Sequence, residues 1–151
     1  MGFSSFYRLF QRNRPAVGKE RRINRRMTPS AGTTVLIVDD SKTVRRVMSS
    51  MLHQSGYRTL EAEDGARGIE LAHNHKPNLI FMDVMMPGMD GFQATRKLQT
   101  DVDTQDIPVI IISGNQQATI QTWVRRIGAS GFMAKPFQRG EFFQHLESAI
   151  Y

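Results

Sequence analysis

Cysteine is absent from this 151-residue chain. That excludes disulfides, thiolate metal sites and cysteine nucleophiles, and it fits a reducing compartment. No apolar run approaches the roughly 18 residues that a membrane span needs, and there is neither an internal repeat nor a low-complexity segment. Histidine is sparse: His53, His73, His75 and His145 form no ligand cluster along the sequence. His73-x-His75, just ahead of Lys76-Pro77 at an expected helix end, reads as solvated rather than metal-bound.

What is present is unevenly divided. With 40% apolar residues the chain can build one ordinary domain with a real core. The overall charge of +6 conceals an asymmetry: residues 1–32 hold Arg8, Arg12, Arg14, Lys19, Arg21, Arg22, Arg25 and Arg26 against Glu20 alone, which puts +7 there and −1 on the remainder. The chain therefore reads as a basic, flexible leader over residues 1–32 and a domain over 33–151, and only the leader would seek polyanions. Phe3, Phe6, Tyr7 and Phe10 fall at helical spacing beside Arg8, Arg12 and Arg14, which suits a short amphipathic helix at an anionic membrane surface. Nonspecific attraction to nucleic acid, a disordered tail and a true start at Met27 are the alternatives. Met1-Gly2 does not begin a myristoylation signal, because position 6 is Phe.

From Thr34 onward, strand and helix patterns alternate. Val35-Leu36-Ile37-Val38, Leu79-Ile80-Phe81-Met82 and Val109-Ile110-Ile111-Ile112 are short, rich in β-branched residues and without alternation, as parallel strands buried on both faces should be. Ile107 to Ser113 bounds the fourth strand, Arg58 to Glu61 makes a short second one and Gly131 to Ala134 a fifth. Helices are expected from Ser41, with Val44, Val47, Met48, Met51 and Leu52 as the inward stripe and Gly56 at the C-terminal cap. Others are expected over Gly65 to His75, Asp90 to Gln99 and Glu141 to Ile150, the last with Phe142, Leu146 and Ile150 facing inward, and around Ile120, Trp123, Val124 and Ile127. Trp123 reads as core on that stripe. Strict alternation with right-handed crossovers predicts an α/β fold: a (βα)5, flavodoxin-like, three-layer α/β/α sandwich with parallel strand order 2-1-3-4-5.

In that order Asp39, Asp40 and Asp83 meet at the carboxyl edge of the sheet. Three carboxylates so close either take raised pKa values or share a cation. A hard divalent ion such as Mg2+ is the natural one, with Asp40 and Asp83 as direct ligands and Asp39 holding a metal-bound water. Asp83, followed by the turn Val84-Met85-Met86-Pro87-Gly88, is the nucleophile candidate, giving an acyl phosphate. Lys135, fixed by Pro136, offers the opposite charge, and Ser113 a hydroxyl for a phosphoryl oxygen. Taken singly, a strand-end Asp is more often a cap or turn former; the joint pattern is what argues for a site.

These motifs, Val38-Asp39-Asp40-Ser41, Met82 through Gly91, Ser113-Gly114 and Ala134-Lys135-Pro136-Phe137, resemble those of bacterial two-component response-regulator receiver domains of the CheY type. The resemblance covers residues 34 to 151. It implies that Asp83 takes phosphate from a histidine kinase, that the Met85 backbone carbonyl completes the Mg2+ shell, and that Ser113 and Phe132 form the switch. Ser41 to Arg46 and Asp90 to Arg96 are similar to stand-alone receivers of chemotaxis and pilus-driven twitching systems. With 16 residues after Lys135, no effector domain is expected, so output falls to a surface. In the resembled family that surface is the fourth helix, fifth strand and fifth helix, here including Trp123, Arg125, Arg126, Phe132 and Phe142-Phe143, which engage a downstream protein. The implied location is the cytoplasm, with the leader able to touch the inner membrane. The chain is read as a phosphate acceptor rather than a dedicated enzyme. An aspartyl-phosphate, Mg2+-dependent phosphatase or phosphotransferase is the alternative, weakened because Met85 stands where such enzymes place a general acid. A phosphate-independent interaction module is another. Neither Met85 nor Asn115 can serve as a base for water, so slow self-dephosphorylation is expected.

Overall fold

The computed structural model describes residues 29–114 and 118–151. The aromatic and basic residues of the leader and Asn115, together with the expectations placed on them, lie outside the described residues. In chain order the elements are β1 (Thr34–Val38), α1 (Lys42–Gln54), β2 (Arg58–Ala62), α2 (Gly65–His75), β3 (Leu79–Asp83), α3 (Gly91–Thr100), β4 (Val109–Ser113), α4 (Ala118–Arg126), β5 (Gly131–Ala134) and α5 (Arg139–Ile150). The strands are parallel throughout, in the order β2-β1-β3-β4-β5.

Side chains alternate across the sheet because successive residues of a strand point to opposite faces. Val35, Ile37, Leu79, Phe81, Ile110, Ile112 and Met133 pack with Met48 and Leu52 of α1 and with Phe142, Phe143 and Leu146 of α5. Leu36, Val38, Ile80, Met82, Val109, Ile111 and Phe132 pack with Leu71 and Ala72 of α2, Ala94 and Leu98 of α3, and Val124 of α4. Two helices thus cover one face and three the other. Each fully buried aliphatic or aromatic side chain stabilises by about 1.5–3 kcal/mol relative to leaving it in water, so the three continuous apolar strands anchor the fold.

Local chemistry fixes the element ends. Ser41, Asp64 and Asp90 cap α1, α2 and α3 by accepting hydrogen bonds from the backbone N–H groups of Val44, Arg67 and Gln93. The Gln93 side chain returns a bond to the Asp90 N–H and completes a capping box. β4 begins at Val109 rather than Ile107, since Pro108 has no N–H for the ladder although its carbonyl accepts from Ile80. α5 begins at Arg139, two residues before the expected start.

Two of the expected core positions are on the surface. Val47 is 51% exposed: one residue is about 100° of helix rotation, which carries it off the stripe centred on Met48 and Leu52. Trp123 is 49% exposed and lines a cleft facing α3, because α4 buries Val124 instead.

Candidate functional site

Four strand ends deliver the predicted residues to one edge. Asp39 and Asp40 follow β1, Asp83 ends β3, Ser113 ends β4, and Lys135 follows β5. The register keeps these ends level, pairing Val38 with Met82, Asp83 with Ile112 and Ser113 with Ala134.

Asp39 is wholly buried. Its Oδ1 accepts from the Ser41 backbone N–H at 2.9 Å, and its Oδ2 accepts from Lys135 Nζ at 2.8 Å. The same Nζ donates to Asp83 Oδ1 at 3.2 Å, so one ammonium bridges two carboxylates. Asp40 stands exposed at the rim, and one carboxylate oxygen from each of Asp39, Asp40 and Asp83 lies within 4.8 Å of the others. Burial pushes the Asp83 carboxyl up to about 6, with the Asp39 charge adding to the rise and Lys135 opposing it. Burial also works against the charge on Lys135, but its hydrogen bonds and attraction to Asp39 and Asp83 prevail and raise its pKa. At neutral pH Asp83 is therefore ionised while still carrying an excess of neighbouring negative charge. An all-oxygen set of three carboxylates compensated by one ammonium fits a hard divalent cation of the Mg2+ type.

The turn after β3 is held from below. The Gly91 N–H donates to the Val84 carbonyl at 2.9 Å, and the Thr95 hydroxyl donates to the Gly91 carbonyl at 2.7 Å. A Cβ at Gly91 would collide with the Asp83 carbonyl, so α3 starts against the backbone of Asp83 because residue 91 has no side chain. Arg45, which the sequence reading did not single out, donates from Nη1 to the Asp39 carbonyl at 2.7 Å and faces Glu61 at 3.4 Å. Its spacing of four from Ser41 on a capped helix was the available signal.

Ser113 and Phe132 are both buried; Met85 is 77% exposed beside the site. The structure corrects three expectations. Phe143 does not lie on an output surface, and Phe142 faces inward as the apolar stripe of its helix predicts, not toward such a surface: Phe142 stacks on Phe81 with ring centroids 4.8 Å apart and meets Phe143 edge-on at 5.1 Å, because α5 packs its aromatic face onto the central strand. Phe132 faces inward among the residues between β5 and α4. His73 is not simply solvated: its Nε2 lies 2.7 Å from Asp101 Oδ2, with an Asp103 carboxylate nearby. Asp101 also accepts from the Asp103 N–H, so local turn bonds and the His73 side-chain contact account for this group.

The family model of the response regulator receiver domain matches residues 35–147. The chain belongs to the response regulator receiver family. Protein PilH of Pseudomonas aeruginosa is 45% identical over 116 residues, covering 77% of this chain and 96% of that protein. Protein PilG of the same organism is 30% identical, covering 80% and 90%. The crystal structure of the chemotaxis protein CheY4 of Vibrio cholerae superposes with a TM-score of 0.75 at 27% identity, covering 79% of this chain and 99% of that one. Receivers are signalling modules of phosphorelays: they take phosphate from histidine kinases, act on downstream targets and bind Mg2+ through acidic residues.

Proposed function

We propose that Asp83 is the phosphoacceptor of this receiver. The observation that carries the reading is the Lys135 ammonium shared between Asp39 and Asp83 at 2.8 and 3.2 Å, one strand from the Ser113 hydroxyl. An Asp83 carboxylate oxygen attacks the phosphorus of a kinase phosphohistidine. The new O–P bond makes an acyl phosphate as the P–N bond breaks and the imidazole leaves. Lys135 is placed to transfer its contact from the free carboxylate to a phosphoryl oxygen, and Ser113 to donate its hydroxyl hydrogen to another. Asp39, Asp40, Asp83 and the Met85 carbonyl are the residues that would hold Mg2+, and the ion would supply charge neutralisation for phosphoryl transfer.

With Ser113 drawn toward the phosphoryl group, the buried Phe132 ring is the neighbouring element able to change its packing, which shifts the balance between two conformations of the face formed by α4, β5 and α5. The protein acts as a cytoplasmic phosphate-accepting regulator, not a dedicated enzyme. The 45% identity to PilH supports control of chemotaxis or pilus-driven twitching as the pathway. The basic leader supplies contact with an anionic membrane.

The test is intact mass after incubation with Mg2+ and a small phosphodonor. The wild type is expected to gain one phosphoryl group only when Mg2+ is present, and Asp83→Asn to gain none. A gain retained by Asp83→Asn, or one indifferent to chelation, overturns the assignment.

A further inference from the structure

A second feature lies outside the acidic edge. Phe92, Gln93 and Arg96 of α3 and Trp123 and Ile127 on the α4 side line a cleft of about 260 Å³. That volume is below the roughly 300 Å³ at which small-molecule pockets begin, and it suits one large apolar side chain. Trp123 leaves half its surface in water at the mouth of the cleft, an arrangement that covering the ring would relieve by about 25 cal/mol for each Å² removed from solvent. The mouth is cationic. Arg96 lines it, and the Arg126 guanidinium carbon lies 6.0 Å from the Trp123 ring centroid. Among the described residues no carboxylate lines the cleft, and neither Arg96 nor Arg126 is in an ion pair.

We propose that this cleft docks an acidic amphipathic segment of a protein partner. One apolar anchor enters between Phe92, Trp123 and Ile127, while flanking carboxylates meet Arg96 and Arg126. Tryptophan and arginine around a small desolvated pocket are the residues on which binding energy concentrates, and the charge of the rim selects the sign of the partner. The same sign argues against the chain's own leader, whose net charge of +7 would be repelled. A polynucleotide would need a basic track with open ring faces; here the remainder of the chain carries −1, and the cleft admits a side chain rather than a strand.

Trp123 is the only tryptophan, so its fluorescence in the full chain reports this cleft alone. The probe is a synthetic peptide with a central Phe flanked by Asp and Glu. It is compared with a version bearing Lys at the acidic positions, a version bearing Ser in place of Phe, and an oligo-dT strand. The acidic Phe peptide is expected to change the emission saturably, and the Lys and Ser versions and oligo-dT to leave it unchanged. Arg96→Glu, checked for native circular dichroism, is expected to weaken binding at least about 10-fold, the equivalent of about 1.4 kcal/mol, whereas Arg67→Glu on α2 should not alter it. Equal binding of the Lys peptide or oligo-dT, no response to the acidic peptide, or unchanged affinity in Arg96→Glu overturns the proposal. A concentration-dependent blue shift without peptide would assign the cleft to a second copy, and a shift in the Phe6→Ala/Phe10→Ala chain would assign it to the leader; either overturns it. The assay uses unphosphorylated protein, so its failure leaves the reading of Asp83 standing.

Discussion

A buried carboxylate with a pKa near 6 makes the site unfavourable for the fold that carries it. The folded value of about 6 lies above the ordinary 3.8, so the native state binds the extra proton between these limits. The associated stability is complete below about pH 4 and is lost as pH rises through about 6. The gap corresponds to at most about 3 kcal/mol. Without Mg2+ at pH 7.5, Asp83→Asn is therefore expected to be more stable than the wild type by about 1–3 kcal/mol in urea unfolding, with the difference vanishing below pH 4. A wild type of equal or greater stability at pH 7.5 would contradict this account. Lys135→Met should shift stability the other way, because it leaves the buried Asp39 without its ammonium partner. The convergence of Lys135 with Asp39 and Asp83 at one edge was legible from strand-end positions, whereas the bonding of its ammonium to both carboxylates came from the structure. The contribution of Arg45 was only half legible: its place one turn after Ser41 sets it beside the site, but the Asp39 backbone carbonyl that accepts from it leaves no mark in the sequence.

Among the elements, the contact between α3 and β3 is the least forgiving. A methyl group at Gly91 has the Asp83 carbonyl and the Val84 Cα in its way, and backbone cannot give as a flexible side chain does. Gly91→Ala is expected to cost about 2–4 kcal/mol and to slow phosphoryl uptake in the same preparation; a variant with unchanged urea midpoint and uptake would show that the helix simply slides. The strands were readable because burial on both faces leaves unbroken apolar runs, and the starts of α1 and α3 because Ser41 and Asp90 announce them. The sidedness of helices was not. Val47 and Trp123 belong to apolar stripes yet face water, while Phe143 is core beside the inward Phe142, since which edge of a stripe is covered depends on where the neighbouring helix lies. The fold class, strand order and one-edge convergence followed from pattern; the output face did not.

The whole molecule divides its charge between a leader of +7 and a remainder of −1. Counterion screening weakens such long-range attraction within about 10 Å at 0.1 M salt. Sedimentation of the full chain with anionic vesicles is therefore expected at low ionic strength and should decline as salt rises. A protein beginning at Met27, which keeps none of the eight basic side chains, should remain in the supernatant. Equal sedimentation of the two removes the leader from any membrane role. None of the described helices is long and apolar enough to cross a bilayer.

The bridge from Lys135 to Asp39 joins residues 96 positions apart, across the outer and inner strands of a sheet that closes in the order β2-β1-β3-β4-β5. Contacts so distant in sequence form late, after the loops between them have been ordered. A nascent or half-folded chain consequently has an aspartate at position 83 but no ammonium facing it. On the proposed reading of Asp83, competence to take phosphate arrives only when β5 docks, which ties the switch to the finished sheet.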